Sequence, residues 1–290
     1  MERLFGTGVA LVTPFQRNLE IDFQGLQKLL AFTAEKGVDY YVVMGTTAES
    51  ATLKRTEKSK VLQFVKENNT SKLPIVYGIG GNSTQEIIHT IENTDLDGVD
   101  AILSVSPYYN KPSQRGIIEH YNTIADESPV PLILYNVPGR TGSNIKANTT
   151  LKLAEHPNII GIKEASSDLV QAMKIMKYKP NDFMLISGED MMTSPLYSIG
   201  AVGVISVMAN AFSDVFKRVR EAVTAKDFTS VTGQMLRLLE INPLMYKESN
   251  PVGIKQVLKH YDVCENYVRL PLVSASAELI TEIETRLKDV

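Results

Sequence analysis

LILYN (132–136), IIGIKE (159–164), FMLIS (183–187) and VGVIS (202–206) are four successive short runs, each at least half Ile, Leu, Val or Met. Parallel strands covered on both faces read this way, because neither face meets water and no polar residue has to alternate with the apolar ones. The pattern extends toward the N-terminus in GVALVT (8–13), YYVVMG (40–45), PIVYGIG (74–80) and AILSVS (101–106). Helical patterns lie between the runs. Asp22 caps a segment with Phe23, Leu26, Leu29 and Leu30 on one face and Gly37 at its end. Thr56 and Glu57 open another that buries Val61, Leu62, Phe64 and Val65, and Ser83 with Glu86 forms a capping box at a third. Lys152 to Glu155, Asp168 to Lys177 and Met191 to Ile199 supply later crossovers. Eight strands, spaced by about 20 to 35 residues with a helix after nearly every one, predict an α/β fold of the (β/α)8 TIM-barrel kind. A dinucleotide-binding sheet would show a Gly-x-Gly-x-x-Gly turn after its first strand; here that strand runs into Thr13-Pro14-Phe15.

After Ser206 the pattern becomes all-helical, over 213–224, 228–240 and 252–259. That exceeds the one helix needed to close a barrel. The expectation is a barrel carrying the active site over 1–224 and a small C-terminal helical subdomain over 225–290.

Composition narrows the function. The 290 residues are 43% hydrophobic and 22% charged, with a net charge of −3 and no basic block, which speaks against a dedicated nucleic-acid or membrane-surface binder. Cys264 is the single cysteine, so there is no internal disulfide and no thiolate metal cluster, and a buried inert thiol is its expected role. The most apolar stretch, AVGVISVMANAF (201–212), falls short of the ~20 residues a membrane helix needs. MERLFGTGVALVTP (1–14) lacks the basic segment and apolar core of a secretion signal, so the expected location is the cytoplasm. His89, His120, His156 and His260 fall in helices or at helix ends without metal-ligand spacing, and no metal is expected.

TIM barrels place their chemistry where strands end. The second strand ends in GTTAES, the fourth in SPYYN, the fifth in YNVPGRTG, the sixth in IKEAS and the seventh in SGED. Lys163 ends the sixth. An ordinary lysine is neutral only about once in two thousand at pH 7, and burial favours the neutral amine that attacks a ketone. The position equally suits a lysine snorkelling at a strand end or pairing with Glu164. Tyr135 is placed to shuttle a proton, or to act as an amphipathic core residue. Thr46 and Thr47 can hold a carboxylate or close a capped turn. Arg140 offers a fork for a carboxylate or is an exposed loop residue. Tyr108 and Tyr109 fit either catalysis or interface packing.

VALVTPF (9–15), GTTAESATL (45–53), SPYYNKPSQRG (106–116), LILYNVPGRTG (132–142), IIGIKEAS (159–166), GVISVMAN (203–210) and RLPLV (269–273) together carry a resemblance to the dihydrodipicolinate synthase family over essentially the whole chain. The resemblance implies class I aldolase chemistry without cofactor or metal, in which Lys163 forms an imine with pyruvate and the derived enamine attacks aspartate semialdehyde. It further implies a proton relay of Tyr135, Thr46 and Tyr109, the last reaching into a neighbouring subunit of a homodimer or a homotetramer built as a dimer of dimers. Thr47 would hold the pyruvate carboxylate, Arg140 the semialdehyde carboxylate, and Gly188 and Ile205 would line the site. Two departures stand out. Ala48 replaces a glycine frequent in the family. Asn82, Glu86 and Tyr108 match the lysine-feedback site of some members, but Arg55 and Lys58 stand where sensitive members often have histidines, so lysine inhibition is expected to be weak or absent. Other pyruvate-dependent aldolases, such as N-acetylneuraminate lyase or keto-deoxy sugar acid aldolases, share the lysine and tyrosine; a non-catalytic sensor on the same barrel would have no need of the whole relay.

Overall fold

The structure is a computed structural model that describes residues 2–290. Its elements run β1 (Gly6–Ala10), α1 (Phe23–Glu35), β2 (Tyr40–Val43), α2 (Arg55–Asn68), β3 (Ile75–Gly78), α3 (Thr84–Glu92), β4 (Ala101–Val105) and α4 (Gln114–Glu127). They continue with β5 (Leu132–Asn136), α5 (Pro138–Thr141), α6 (Ala147–Leu153), β6 (Ile159–Glu164), α7 (Leu169–Tyr178), β7 (Met184–Ser187), α8 (Thr193–Ser198) and β8 (Gly203–Ser206). The last helices are α9 (Ala209–Thr224), α10 (Phe228–Arg237), α11 (Val252–His260) and α12 (Ala277–Arg286). The eight strands close into a barrel in chain order, as the succession of apolar runs predicts. Nearly every strand residue is buried, the reason those runs lack polar alternation. Among the described residues no helix is long and apolar enough to cross a membrane.

The chain divides into two compact units: residues 1–5 with 74–205, and residues 6–73 with 206–290. In the first, β3 to β8 pair in parallel with successive neighbours. The β5–β6 ladder contains an irregularity. Leu132 stands opposite Ile159, but Ile133 stands opposite Gly161, so Ile160 is an extra residue and the ladder advances by one. Beyond it Tyr135 faces Lys163 and Asn136 faces Glu164. Without the bulge, Tyr135 would meet Ile162. Gly161 suits the spot because a Cβ there would sit 2.8 Å from the Met184 carbonyl oxygen.

In the second unit Asp22 caps α1, accepting from the Gly25 N–H at 3.0 Å. α2 starts at Arg55, slightly ahead of the predicted Thr56, because Glu57 reaches back to the Lys54 N–H at 2.8 Å. Cys264 is buried, and desolvation pushes its thiol up to about 12, which keeps it protonated and unreactive. Arg269 holds the segment ahead of α12 by a fork onto Glu57, at 2.6 and 3.0 Å, and by a bond to the Leu19 carbonyl. The hydrogen bond from Arg269 holds the Glu57 carboxyl well down, at about 2. A depressed carboxyl stabilises the fold above its unfolded pKa and loses that contribution as pH falls through the folded value. Glu57→Gln is therefore expected to lower the urea midpoint at pH 7, and the difference from wild type should shrink as pH falls from about 4.5 toward about 2. A gap that stays constant down to pH 3 would contradict this.

Candidate active site

Strand alternation sorts the residues at the end of β6. Glu164 turns toward the helix layer: its carboxylate accepts from Asn136 Nδ2 at 3.0 Å to each oxygen, from Gln171 Nε2 of α7 at 2.9 Å and from the Ser166 N–H at 2.7 Å. The carboxylate is thus fully engaged on the outer face, and the sequence alternative of a Lys163–Glu164 pair falls away. Asn136 and Gln171 also bond Asn144, giving a closed polar lattice behind the strand ends.

Lys163, on the opposite face, points inward. It is only 5% exposed, and Tyr135 on the neighbouring strand is 7% exposed. The Lys163 Nζ lies over the Tyr135 ring, 4.3 Å from its centroid. The snorkelling alternative does not describe such a buried amine. Gly188, just past β7, leaves the room this side chain needs: a Cβ there would sit 2.9 Å from Lys163 Cγ, 2.7 Å from Ala165 Cβ and 3.1 Å from the Glu164 carbonyl carbon. None of these atoms is the free end of a flexible chain. Gly188→Ala is therefore expected to cost about 1–3 kcal/mol by overpacking and to displace the Lys163 stem. Thermal unfolding should register the change; an unaltered melting temperature would refute it.

The other predicted residues of this unit are placed separately. Ile205 is buried in β8. Arg140 is exposed on α5. Tyr109 is 89% exposed on a left-handed backbone (φ 72°), projecting away from its own chain's core. Tyr108 is 42% exposed, and its carbonyl accepts from Asn82 Nδ2 at 3.1 Å. Glu86 lies exposed on α3, where Ser83 Oγ accepts from the Glu86 N–H at 3.4 Å.

In the second unit Thr46, Thr47 and Ala48 form a 3-10 turn just after β2. Thr46 is exposed, while Thr47 is 2% exposed and its Oγ1 accepts from Asn250 Nδ2 at 3.1 Å. Among the described residues no cluster of His, Cys, Asp and Glu is arranged to hold a metal. His120 is pushed down to about 4 by burial and bonds Thr84 Oγ1, so it is a neutral structural histidine at pH 7.

Sequence reasoning passed over Asn136, Gln171, Asn250 and the pair Glu49–Lys255. The first had a readable signal: Asn136 and Glu164 each directly follow a site residue, and alternation turns them to the opposite face.

The fold and this pair define a class, a (β/α)8 barrel with a buried lysine at the end of its sixth strand, packed on a tyrosine from the fifth. Residues 3–290 match the dihydrodipicolinate synthetase family, and the chain belongs to it. It is 51% identical to a 4-hydroxy-tetrahydrodipicolinate synthase of Cytophaga hutchinsonii, covering 98% of this chain and 96% of the relative. Among solved structures it resembles dihydrodipicolinate synthase from Cyanidioschyzon merolae with lysine bound (TM-score 0.95, 36% identity, 99% and 98% of the two chains). A similar match is the chloride-inhibited enzyme of Acinetobacter baumannii complexed with pyruvate (TM-score 0.95, 35% identity, 99% and 98%).

Proposed function

We propose that this chain condenses pyruvate with L-aspartate 4-semialdehyde through an imine on Lys163, giving 4-hydroxy-tetrahydrodipicolinate for lysine and diaminopimelate synthesis. Full-length membership of the family supports the reaction, and the observation that carries the site is the buried Lys163 amine lying on the Tyr135 ring.

The Lys163 amine adds to the pyruvate ketone, and loss of water leaves an imine that, once protonated, acts as an electron sink. Loss of a methyl proton then gives an enamine. Its carbon forms a bond to the aldehyde carbon of the semialdehyde, whose oxygen takes up a proton. The semialdehyde's own amino group adds to the imine carbon, closing the ring and releasing the lysine. Every step moves a proton, and we assign that traffic to the Tyr135 hydroxyl, with Thr46 and a neighbouring subunit's Tyr109 as the relay. The outward projection of Tyr109 supports its service to another subunit rather than its own, and hence a homodimer or a homotetramer. Thr47 is assigned to the pyruvate carboxylate, Arg140 to the semialdehyde carboxylate, and Gly188 and Ile205 to the lining.

Borohydride reduction in the presence of pyruvate, followed by peptide mass spectrometry, tests the reading. The expected product is a covalent three-carbon adduct on Lys163; its absence would sink the proposal and favour a sensor. Asn82, Glu86 and Tyr108 retain positions of a lysine-feedback site, but the added cations of Arg55 and Lys58 oppose a cationic ligand. Lysine inhibition is therefore expected to be weaker than about 1 mM in a steady-state assay, and tighter inhibition would contradict the assignment.

A further inference from the structure

Glu49 adopts a left-handed backbone (φ 55°, ψ 34°) at the seam of two 3-10 turns, Thr46–Ala48 and Ser50–Thr52. A residue with a Cβ stays in that conformation only where its surroundings over-determine it, and such spots gather at functional sites. The surroundings here are specific. The Glu49 side chain is 1% exposed, and its Oε1 accepts from Lys255 Nζ at 2.6 Å. Oε2 accepts from the Arg269 N–H at 2.9 Å. The Glu49 N–H donates to the Thr46 carbonyl at 3.1 Å, and its own carbonyl accepts from Thr52 N–H and Oγ1 at 2.9 and 3.0 Å. Lys255 is 0% exposed; its amine also donates to the Tyr267 carbonyl at 2.8 Å and lies 4.3 Å from the Phe15 ring centroid. Burial works against the Lys255 charge, and the facing Glu49 carboxylate works for it.

A buried ion pair contributes little net stability compared with apolar residues of the same volume, but it is demanding about geometry. The geometry it sets belongs to the turn after β2. Thr47 Oγ1 is held by Asn250, the Ala48 carbonyl by Thr13 Oγ1 at 2.8 Å, and Glu49 by Lys255. Asn250 and Lys255 come from one stretch, the approach to α11 and its first turn. Thr46 alone in the turn is left exposed.

We infer that Glu49 and Lys255 are positioning residues whose buried ion pair locks the Thr46–Thr47 turn in the shape that receives the keto acid's carboxylate. This rests on the carboxylate role given to that turn above.

The test compares the full-length protein with the double variant Glu49→Gln/Lys255→Met, which removes both charges and strands neither. Circular dichroism and thermal unfolding establish that the variant folds. The expected result is a rise of at least about tenfold in KM for pyruvate and a fall in kcat as Thr46 of the relay loosens with the turn, with the semialdehyde KM changed less than about threefold. Amide exchange over residues 45–50 of the unliganded protein should quicken by at least about tenfold. A folded variant with unchanged pyruvate KM, or with the semialdehyde KM rising as much as the pyruvate KM in step with lost stability, overturns the inference. So does unchanged exchange. If the double variant does not fold, Glu49→Gln alone, which keeps an acceptor for Lys255, carries the same expectations. Failure of wild type to form the pyruvate adduct is a different result. It removes the carboxylate role itself, and the exchange data then report only whether the pair pins the turn.

Discussion

Lys163→Ala is expected to lower turnover by at least about a thousandfold, because a methyl group cannot form the imine on which every later step depends. The effect is categorical rather than graded: a weakened binding contact raises KM, whereas a missing covalent partner removes the route. Lys163 is buried against Tyr135, and Gly188 leaves the space its stem occupies. Truncation therefore also opens a cavity, so the melting temperature has to be measured alongside activity. Lys163→Arg supplies the control. It keeps a long nitrogen-bearing side chain in the space, yet it should be equally inactive and form no adduct under borohydride. If Lys163→Ala retained full turnover, the proposed chemistry would be wrong.

Tyr135→Phe is expected to reduce kcat by about 10²–10⁴ with little change in stability. The substitution keeps the ring that lies under the Lys163 amine and deletes only the hydroxyl. It thus separates packing from proton transfer, which Tyr135→Ala would not. Pyruvate should still be trapped on Lys163, but more slowly, since water can replace the hydroxyl in the proton transfers of imine formation only less efficiently. A kcat within about threefold of wild type would assign the proton traffic elsewhere.

All eight strands were readable because burial on both faces leaves an apolar signature that short polar interruptions do not obscure. Three helices were not, namely α4, α12 and the single-turn α5, and α6 (Ala147–Leu153) lies ahead of the expected 152–155. α4 buries Ile117, Tyr121, Ile124 and Ala125, but its first turns carry Gly116 and a pair of β-branched isoleucines, which weaken the helical signal. α12 buries only Leu279 and Ile283, too narrow a stripe to stand out. At the site, Lys163 and Tyr135 could be read as strand ends. Their mutual placement could not, because it depends on a bulge that periodicity does not reveal. Lys255 was illegible for a different reason. A lysine among apolar helix residues ordinarily snorkels to water, and only the distant Glu49 shows why this one does not.

The extra residue at Ile160 has an effect out of proportion to its size. It changes the phase of β6 against β5, so that from Gly161 onward the two strands run one step out of their initial count. With the original phase, Tyr135 would stand beside an isoleucine and Asn136 beside Lys163, leaving the Glu164 carboxylate without its partner across the ladder. A barrel assembled in that way would part Lys163 from Tyr135 and leave a buried carboxylate poorly compensated. The outer amide–carboxylate lattice and the inner contact thus share one condition: the alignment that satisfies the first also sets the Lys163 amine against the Tyr135 ring.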